Sequence, residues 1–420
     1  MSLQFITGNS GNGKTKYLFN RIVKEAKENP RDNYLVIVPE QFTMQTQRQL
    51  VDLSENKVIM NIDVLSFKRL AYRVFDELGI TNLTVLEETG KNLVLRKLAA
   101  QEADKLGVIG RNLNRIGYIS EVKSLLSELV QYNISPEELG RYIASGRLSD
   151  TLSDKLKDVL VLYEAFEKFM QDKYITAEEI LNVLSNVAEE SAILRNSVIA
   201  FDEFTGFTPI QNQLIKKLFV ISKKIYVTLT IDCREDIFKS RGMQELFDMP
   251  KRTVKSLTEM AAFYGIEVEE PIILDKNYRL AENEELSFME QQLFRKRRCS
   301  FKKAPKHIHI DCLRDPKQEL TKIARRINEL VRNENLRYRD IAIVTGDVNI
   351  YAGYVREIFD KYNIPYFIDA TQEILFHPFI EFIRSIPDIA AQNFSADAVF
   401  RFLRCGFNEL LDSEIDVLEN

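Results

Sequence analysis

Eight consecutive residues near the start of the chain have the types and the spacing of a phosphate-binding loop. Residues 8–15 read Gly-Asn-Ser-Gly-Asn-Gly-Lys-Thr, which fits the pattern GxxxxGK[ST]. Three glycines fall within six residues, although the whole chain has only 16 glycines. Glycine permits the positive φ angles and the close backbone approach with which successive N–H groups surround a polyphosphate. We therefore expect a nucleotide to contact Gly8, Asn9, Ser10, Gly11, Asn12, Gly13, Lys14 and Thr15.

Two side chains of this loop have specific chemical roles in that interpretation. Lys14 is expected to reach the β- and γ-phosphates, and the Thr15 hydroxyl is expected to hold Mg²⁺. An apolar run at 3–7 precedes the loop and a helical pattern follows it, so the loop lies at a helix N-terminus, which favours an anion. The alternative is a glycine-rich turn that matches by accident, and this strand–loop–helix context disfavours it. ATP and Mg²⁺ are the predicted cofactors.

Further along the chain, acidic and basic residues could complete a site for nucleotide hydrolysis. Asp202 and Glu203 follow an apolar strand pattern at 198–201. We predict that Asp202 is a second ligand of Mg²⁺ and that Glu203 is the general base that polarises the attacking water. Two solvated acids at the end of a strand are the alternative. Arg279, in the segment Asn-Tyr-Arg, is a candidate cation for the γ-phosphate in its transition state.

Composition restricts the class of protein. Hydrophobic residues make up 45% of the chain and charged residues 28%, which is ordinary for a globular protein. No apolar run reaches the ~18 residues that span a bilayer, and the N-terminus lacks the features of a secretory leader, so we expect a cytoplasmic protein without a membrane partner. The net charge of −5 still allows a local nucleic-acid groove. The four widely spaced cysteines indicate reduced thiols, not a zinc or disulfide framework.

Hydrophobic periodicity predicts an α/β fold with a parallel sheet that is interrupted by an all-helical insertion. We expect a first α/β domain at 1–86 and 191–280, a helical subdomain at 87–190, and a second, incomplete α/β domain at 281–420. The strands predicted for the first domain are 3–7, 34–38, 58–62, 197–201 and 224–230, with helices at 14–28 and 67–75. The second domain is predicted to have strands at 307–310, 340–344 and 365–368 and helices at 317–333 and 350–362.

The order of these motifs resembles that of UvrD-like superfamily 1 DNA helicases. The phosphate loop, Asp202-Glu203-Phe204 and Asn277-Tyr278-Arg279 occur in the same order as in that superfamily. Longer stretches are similar to one branch, the AddB-type B subunits of the bacterial ATP-dependent helicase/deoxyribonuclease. These stretches are 38–43, 65–70, 204–209, 364–369 and His377-Pro378.

The resemblance implies RecA-like domains and a role in DNA repair. Such a B subunit forms a heterodimer with an A-type motor and nuclease subunit, and the complex unwinds and degrades double-strand break ends. It recognises a recombination hotspot sequence and leaves DNA ready for homologous recombination. The resemblance covers the front of the family, so a nuclease domain with a [4Fe-4S] cluster is expected only in a C-terminal part that this chain lacks.

Two departures from the helicase pattern bear on activity. The segment 231–238 lacks the glutamine of the helicase sensor motif, which favours a protein that binds ATP and DNA and is not the main motor. Glu203, in contrast, supplies a base where many AddB relatives have glycine, so an active ATP-hydrolysing helicase remains the alternative.

The segment 66–69 is the candidate for DNA contact. Ser66, Lys68 and Arg69 suit phosphates, and the ring of Phe67 could stack on a base. A place for Phe67 in the hydrophobic core is an equally good interpretation.

Overall fold

The computed structural model describes residues 1–420 apart from 82–83, 109, 111–116, 147, 172–173, 296–298, 371–373, 375 and 420. The chain divides into two compact units, Met1–Ile308 and His309–Asn420. Among the described residues, no helix combines the length and the apolar character needed to cross a bilayer. Lys296, Arg297 and Arg298, most of a basic run in the sequence, lie outside the described residues.

The first unit contains a parallel sheet in the order β3-β2-β6-β7-β1-β8, and β9 also pairs with β1. A separate parallel pair is formed by β4 and β5. The strands are β1 Ser2–Gly8, β2 Tyr34–Ile37, β3 Ile62–Leu65, β4 Val85–Leu86, β5 Ile175–Thr176, β6 Val198–Phe201, β7 Lys224–Thr230, β8 Glu267–Val268 and β9 Ile272–Leu274. The α/β class with a mostly parallel sheet is therefore confirmed.

Helices follow most of these strands. In the first unit they are α1 Lys14–Glu28, α2 Thr43–Leu53, α3 Phe67–Leu78, α4 Glu88–Gln101, α5 Tyr118–Gln131, α6 Pro136–Ala144, α7 Asp150–Met170, α8 Ile180–Val187, α9 Pro209–Ile221, α10 Asp248–Phe263 and α11 Glu284–Gln292. In the second unit they are α12 Pro316–Asn333, α13 Val348–Lys361, α14 Pro378–Ala391, α15 Ala396–Leu403 and α16 Asp412–Glu419.

The sheet is buried on both faces, as parallel sheets usually are. Successive side chains of a strand point to opposite faces. Leu3 and Phe5 of β1 therefore join a core cluster with α3, α8, α9 and α10, whereas Ile6 joins another with α1 and α2. Every residue of β6 is buried. This double burial fixes the carboxyl ends of β1, β6 and β7, where the predicted chemistry lies.

The stretch predicted to be helical contains α4 to α8 and the short strand β5. The core of α4 to α7 is separate from the sheet, and Leu95, Leu126, Leu162 and Phe166 are among its buried side chains. The amphipathic spacing of these residues explains why the helices could be recognised in the sequence. The helix α8 packs instead into the core of the sheet.

One strand of the first unit was placed too early by its sequence pattern. The prediction of a strand at 58–62 is wrong, because β3 runs from Ile62 to Leu65 and pairs with β2 from Tyr34↔Ile62 onward. Val58 is 58% exposed and Met60 is 93% exposed. Val58 and Met60 therefore point away from the core, although Ile59 packs partly against it. The paired strand begins at Ile62, which is buried.

The three strands predicted for the second α/β domain are absent from the described residues of that stretch. The segments 307–310, 340–344 and 365–368 have no strand assignment, and Ile310, Val344 and Phe367 are each at least 88% exposed. A strand needs a neighbour for its backbone N–H and C=O groups, and none of these segments pairs with another. The predicted helices are present as α12 and α13, which bury Leu320, Ile327 and other residues against each other.

Candidate nucleotide-binding site

The loop at 8–15 connects the end of β1 to the start of α1, as the sequence predicts. Two of its glycines have backbone angles in the left-handed region, with φ of 86° at Gly11 and 77° at Gly13. A Cβ atom on Gly11 would lie 2.8 Å from Asn277 Oδ1 and 2.9 Å from Arg279 Cβ. Glycine is therefore required at this position both by conformation and by space.

The ammonium group of Lys14 lies within the loop. Its Nζ donates hydrogen bonds to the carbonyl oxygens of Gly8 and Asn9, at 3.1 Å and 3.0 Å. Burial lowers the pKa of Lys14, and the nearby carboxylates of Glu203 and Asp202 only partly oppose this effect. A partly desolvated cation in a ring of backbone groups is well placed to attract a phosphate anion.

Asp202 follows the end of β6 and is only 1% exposed. Its Oδ1 accepts hydrogen bonds from the hydroxyl of Thr15, at 3.3 Å, and from that of Thr228 on the intervening strand β7. Its Oδ2 is buried and has no hydrogen-bond partner among the described residues. Burial raises the pKa of Asp202 despite these hydrogen bonds. A buried carboxylate oxygen without a donor is a fitting ligand for a cation.

Glu203 is next to Asp202 but is exposed. Its Oε1 accepts a hydrogen bond from Thr15 Oγ1 at 3.3 Å. The φ angle of Glu203 is 65°, in the left-handed region that a side chain other than glycine adopts at a cost of about 1–2 kcal/mol. The side chain predicted to be the base is therefore held beside Thr15 by a strained backbone.

The Asn-Tyr-Arg segment lies directly on the phosphate loop. The backbone N–H groups of Tyr278 and Arg279 both donate to the carbonyl oxygen of Gly11, at 2.9 Å and 3.4 Å. The side-chain amide of Asn277 donates to the carbonyl oxygen of Ser10 at 2.8 Å. These contacts join residues more than 260 positions apart, and they place the exposed Arg279 at the rim of the loop.

These residues surround one cavity of about 750 Å³. Lys14, Thr15, Asp202, Glu203 and Arg279, the residues with predicted chemical roles, all line it. A second wall comes from α2, which the sequence did not assign to the site. The additional lining residues include Phe42, Gln45, Thr46, Gln49, Thr228 and Tyr278.

Comparison with known proteins places the chain in a family. The model of the family described as "ADDB, N-terminal" matches residues 5–290. The chain belongs to this AddB N-terminal family. The predicted resemblance to AddB-type B subunits is thereby confirmed.

Similar curated proteins share one name, which describes each as the B subunit of an ATP-dependent helicase/deoxyribonuclease. The protein of that name from Lachnoclostridium phytofermentans is 38% identical over 425 residues, which cover 100% of this chain and 37% of the relative. Those from Clostridium tetani and Clostridium acetobutylicum are 33% and 34% identical over the whole of this chain and cover 37% and 36% of each relative. The chain thus spans little more than a third of the length of these relatives.

Two asparagines of the AddB N-terminal phosphate loop turn their side chains into the protein. Asn12 is 2% exposed and donates from Nδ2 to the carbonyl oxygen of Leu274, at 2.6 Å, at the end of β9. Asn9 is 5% exposed and donates from Nδ2 to Glu290 Oε1 at 2.8 Å. The sequence predicts both as nucleotide-binding positions, and only their backbone groups are available for that role.

The segment considered for DNA contact has a partly structural role in this family member. Ser66 caps α3 by accepting a hydrogen bond from the N–H of Arg69, and its hydroxyl donates to Glu40. The ring of Phe67 is 7% exposed and stacks on Phe201 with 5.8 Å between the ring centroids. Phe67 therefore belongs to the core, as the alternative interpretation holds. Lys68 is exposed.

Proposed function

We propose that the chain is the N-terminal, helicase-like part of a helicase/deoxyribonuclease B subunit that binds ATP, Mg²⁺ and DNA during double-strand break repair by homologous recombination. The observation that carries this proposal is the buried, unpaired Oδ2 of Asp202 beside Thr15 and the phosphate loop. The position of β7 between β1 and β6, with the loop after β1 and the acid after β6, supports a RecA-like domain.

The side chains fit the chemistry of a bound nucleoside triphosphate. Lys14 would exchange its bonds to the carbonyls of Gly8 and Asn9 for bonds to phosphate oxygens. Thr15 and Asp202 would hold Mg²⁺, which offsets negative charge on the phosphates. Phosphate oxygens and water molecules would supply the remaining ligands, because Mg²⁺ usually binds proteins through only one or two carboxylates.

Two further residues would act on the γ-phosphate. Glu203, beside Thr15, would orient and polarise the attacking water. Arg279, fixed through the backbone bond to Gly11, would stabilise the charge that develops in the transition state. The presence of both residues favours the alternative proposal, an active superfamily 1 helicase motor.

We favour the role that is not the main motor because of the segment at 231–238. Its Asp232 is 1% exposed and is bound to the guanidinium groups of Arg234 and Arg295. The segment has no glutamine to contact a γ-phosphate, and its buried acid is already neutralised by these two cations. ATP would then serve mainly as a structural or regulatory ligand, while another protein of the complex translocates along DNA.

The remaining parts of the proposal rest on the family. The relatives are named as B subunits, so we propose a heterodimer with an A-type motor and nuclease subunit, in the cytoplasm, on single-stranded DNA or duplex ends. We also propose that this half of the heterodimer scans for a recombination hotspot sequence. A nuclease domain with a [4Fe-4S] cluster would lie in the part of the relatives that this chain does not cover.

A single-stranded-DNA-stimulated ATPase assay tests which role applies. The chain should bind MgATP, hydrolyse it slowly or not at all, and show little stimulation by DNA. Glu203→Gln is the matched variant, because it keeps the shape of the side chain and removes the base. Strong stimulated turnover that is lost in Glu203→Gln would support the motor and contradict the role proposed here.

A further inference from the structure

A group of charged side chains outside the predicted chemistry connects the phosphate loop to α11. Asn9 of the loop donates to Glu290 Oε1, and Glu290 lies 3.9 Å from the guanidinium of Arg295. Arg295 donates from Nε to Asp232 Oδ2 at 2.9 Å. The backbone carbonyl of Gln291 accepts a hydrogen bond from Arg234 at 3.0 Å. We call Asn9, Glu290, Arg295 and Asp232 the α11 link.

Neighbouring groups bury and pair the charged members of the link. The side chains of Arg295 and Asp232 are only 13% and 1% exposed. The guanidinium of Arg295 also lies 4.9 Å from the ring centroid of Phe247, a favourable cation–π distance. Burial would raise the pKa of Asp232, but hydrogen bonds from Arg234 and Arg295 outweigh it and hold that pKa well below its usual range. Asp232 is therefore ionised at neutral pH and anchors Arg295.

Asn9 connects this link to the cation of the phosphate loop. Its backbone carbonyl accepts a hydrogen bond from Lys14 Nζ, while its side-chain amide bonds Glu290 and accepts from the N–H of Cys233 at 2.9 Å. Burial lowers the pKa of Lys14, and the negative charge of Glu290 is the weakest of the three carboxylate charges that oppose this effect. A polyphosphate that takes over Lys14 would remove one bond from Asn9 and would bring negative charge towards Glu290.

We propose that Asn9, Glu290, Arg295 and Asp232 are positioning residues that hold α11 against the phosphate loop while Lys14 is bonded to the loop carbonyls, and that phosphate binding loosens this contact. The proposal rests on the proposed function, since it requires that the loop binds a nucleotide. Binding energies are reciprocal: if phosphate weakens the α11 contact, weakening the contact must strengthen phosphate binding. A purely structural link would have no such effect.

Hydrogen exchange and calorimetry on the full chain test the proposal together. MgATP should increase the exchange rate of peptides from α11 by roughly tenfold, a change equivalent to about 1.4 kcal/mol. Glu290→Gln removes the charge but keeps an acceptor for Asn9, and it should bind MgATP several-fold more tightly, with a smaller gain for MgADP. Glu284→Gln is a charge-matched control on the same helix, where the acid is 71% exposed, and it should leave affinity unchanged.

A second variant protects the test against a folding defect. Asp232→Asn removes the charge that pairs with Arg234 and Arg295 and leaves every residue of the phosphate loop unchanged. It should increase exchange of α11 even without nucleotide. Circular dichroism checks that each variant is folded. The proposal is overturned if the wild type binds MgATP while exchange of α11 stays the same or slows, or if Glu290→Gln and Glu284→Gln change affinity equally. No binding of MgATP to the wild type would overturn the proposed function and this proposal with it.

Discussion

Replacing Glu203 with glycine should stabilise the protein while it removes the candidate base. The backbone of Glu203 has a φ of 65°, which costs about 1–2 kcal/mol for a residue with a Cβ atom. Glycine avoids this cost, although it loses more chain entropy on folding. Alanine removes the same carboxylate, which lies beside the buried acid Asp202, but keeps the strained backbone. The difference between Glu203→Gly and Glu203→Ala therefore isolates the backbone term, and we expect about 1 kcal/mol in favour of glycine.

Thermal unfolding without nucleotide measures this difference. A gain of about 1 kcal/mol corresponds to an increase in Tm of ~2–4 °C for Glu203→Gly over Glu203→Ala. Because the chain has two compact units, the relevant transition is the one that MgADP shifts in the wild type. Both variants should lose whatever ATP hydrolysis the wild type has. If the two variants had equal Tm values, the strained backbone would not explain the conformation at this position, and the reasoning would be refuted.

Four other substitutions test separate features of the first unit. Asp202→Asn should increase stability by about 1 kcal/mol at pH 7 without Mg²⁺, because it removes a buried carboxylate with an unpaired oxygen. Because the folded-state pKa of Asp202 is raised, the stability difference between Asp202→Asn and the wild type should shrink as the pH falls through that pKa. Urea unfolding at several pH values would measure this difference. A difference that does not change with pH would contradict the raised pKa. Phe67→Ala removes a buried ring and should lower the unfolding free energy by about 3 kcal/mol or more. Lys68→Ala should change that free energy by less than about 0.5 kcal/mol. It should instead weaken the binding of single-stranded DNA, which fluorescence anisotropy would measure. The reverse pattern would place Phe67, and not Lys68, at the DNA surface. Gly11→Ala should lower the unfolding free energy by about 2 kcal/mol or more, because the new Cβ atom would clash with Asn277. Thermal unfolding would measure this loss, and nucleotide titration would show its effect on binding. An unchanged Tm would show that the loop accommodates the Cβ atom without cost.

The sequence was most informative where local chemistry dictates structure. The glycine spacing at 8–15 correctly places the loop between β1 and α1. Glycine suits the left-handed backbone at positions 11 and 13, and it also avoids a clash at position 11. The mostly apolar runs at 197–201 and 224–230 correctly predict strands, because a strand covered on both faces is apolar along most of its length. In these places, burial and backbone geometry leave few alternatives.

Contacts between distant residues could not be derived in this way. Asn9 and Glu290 are 281 positions apart, and the role of Thr228 depends on the place of β7 between β1 and β6. No local sequence pattern identifies Glu290 or Thr228 as a residue of the site. The strands predicted for the second α/β domain are wrong for a related reason. An apolar run such as that at 340–344 is a local side-chain pattern and cannot supply a pairing partner.

Calorimetric titration of MgATP into the wild type and Lys14→Ala tests the central claim most directly. Lys14 is the cation of the loop, and its replacement removes charge-assisted bonds to phosphate that are worth about 3 kcal/mol, or roughly a 100-fold change in affinity. We predict saturable binding at one site in the wild type, no measurable binding to Lys14→Ala, and the same circular dichroism spectrum for both. Equal affinity in the two proteins, or no binding to the folded wild type, would contradict the assignment of this loop as an ATP site.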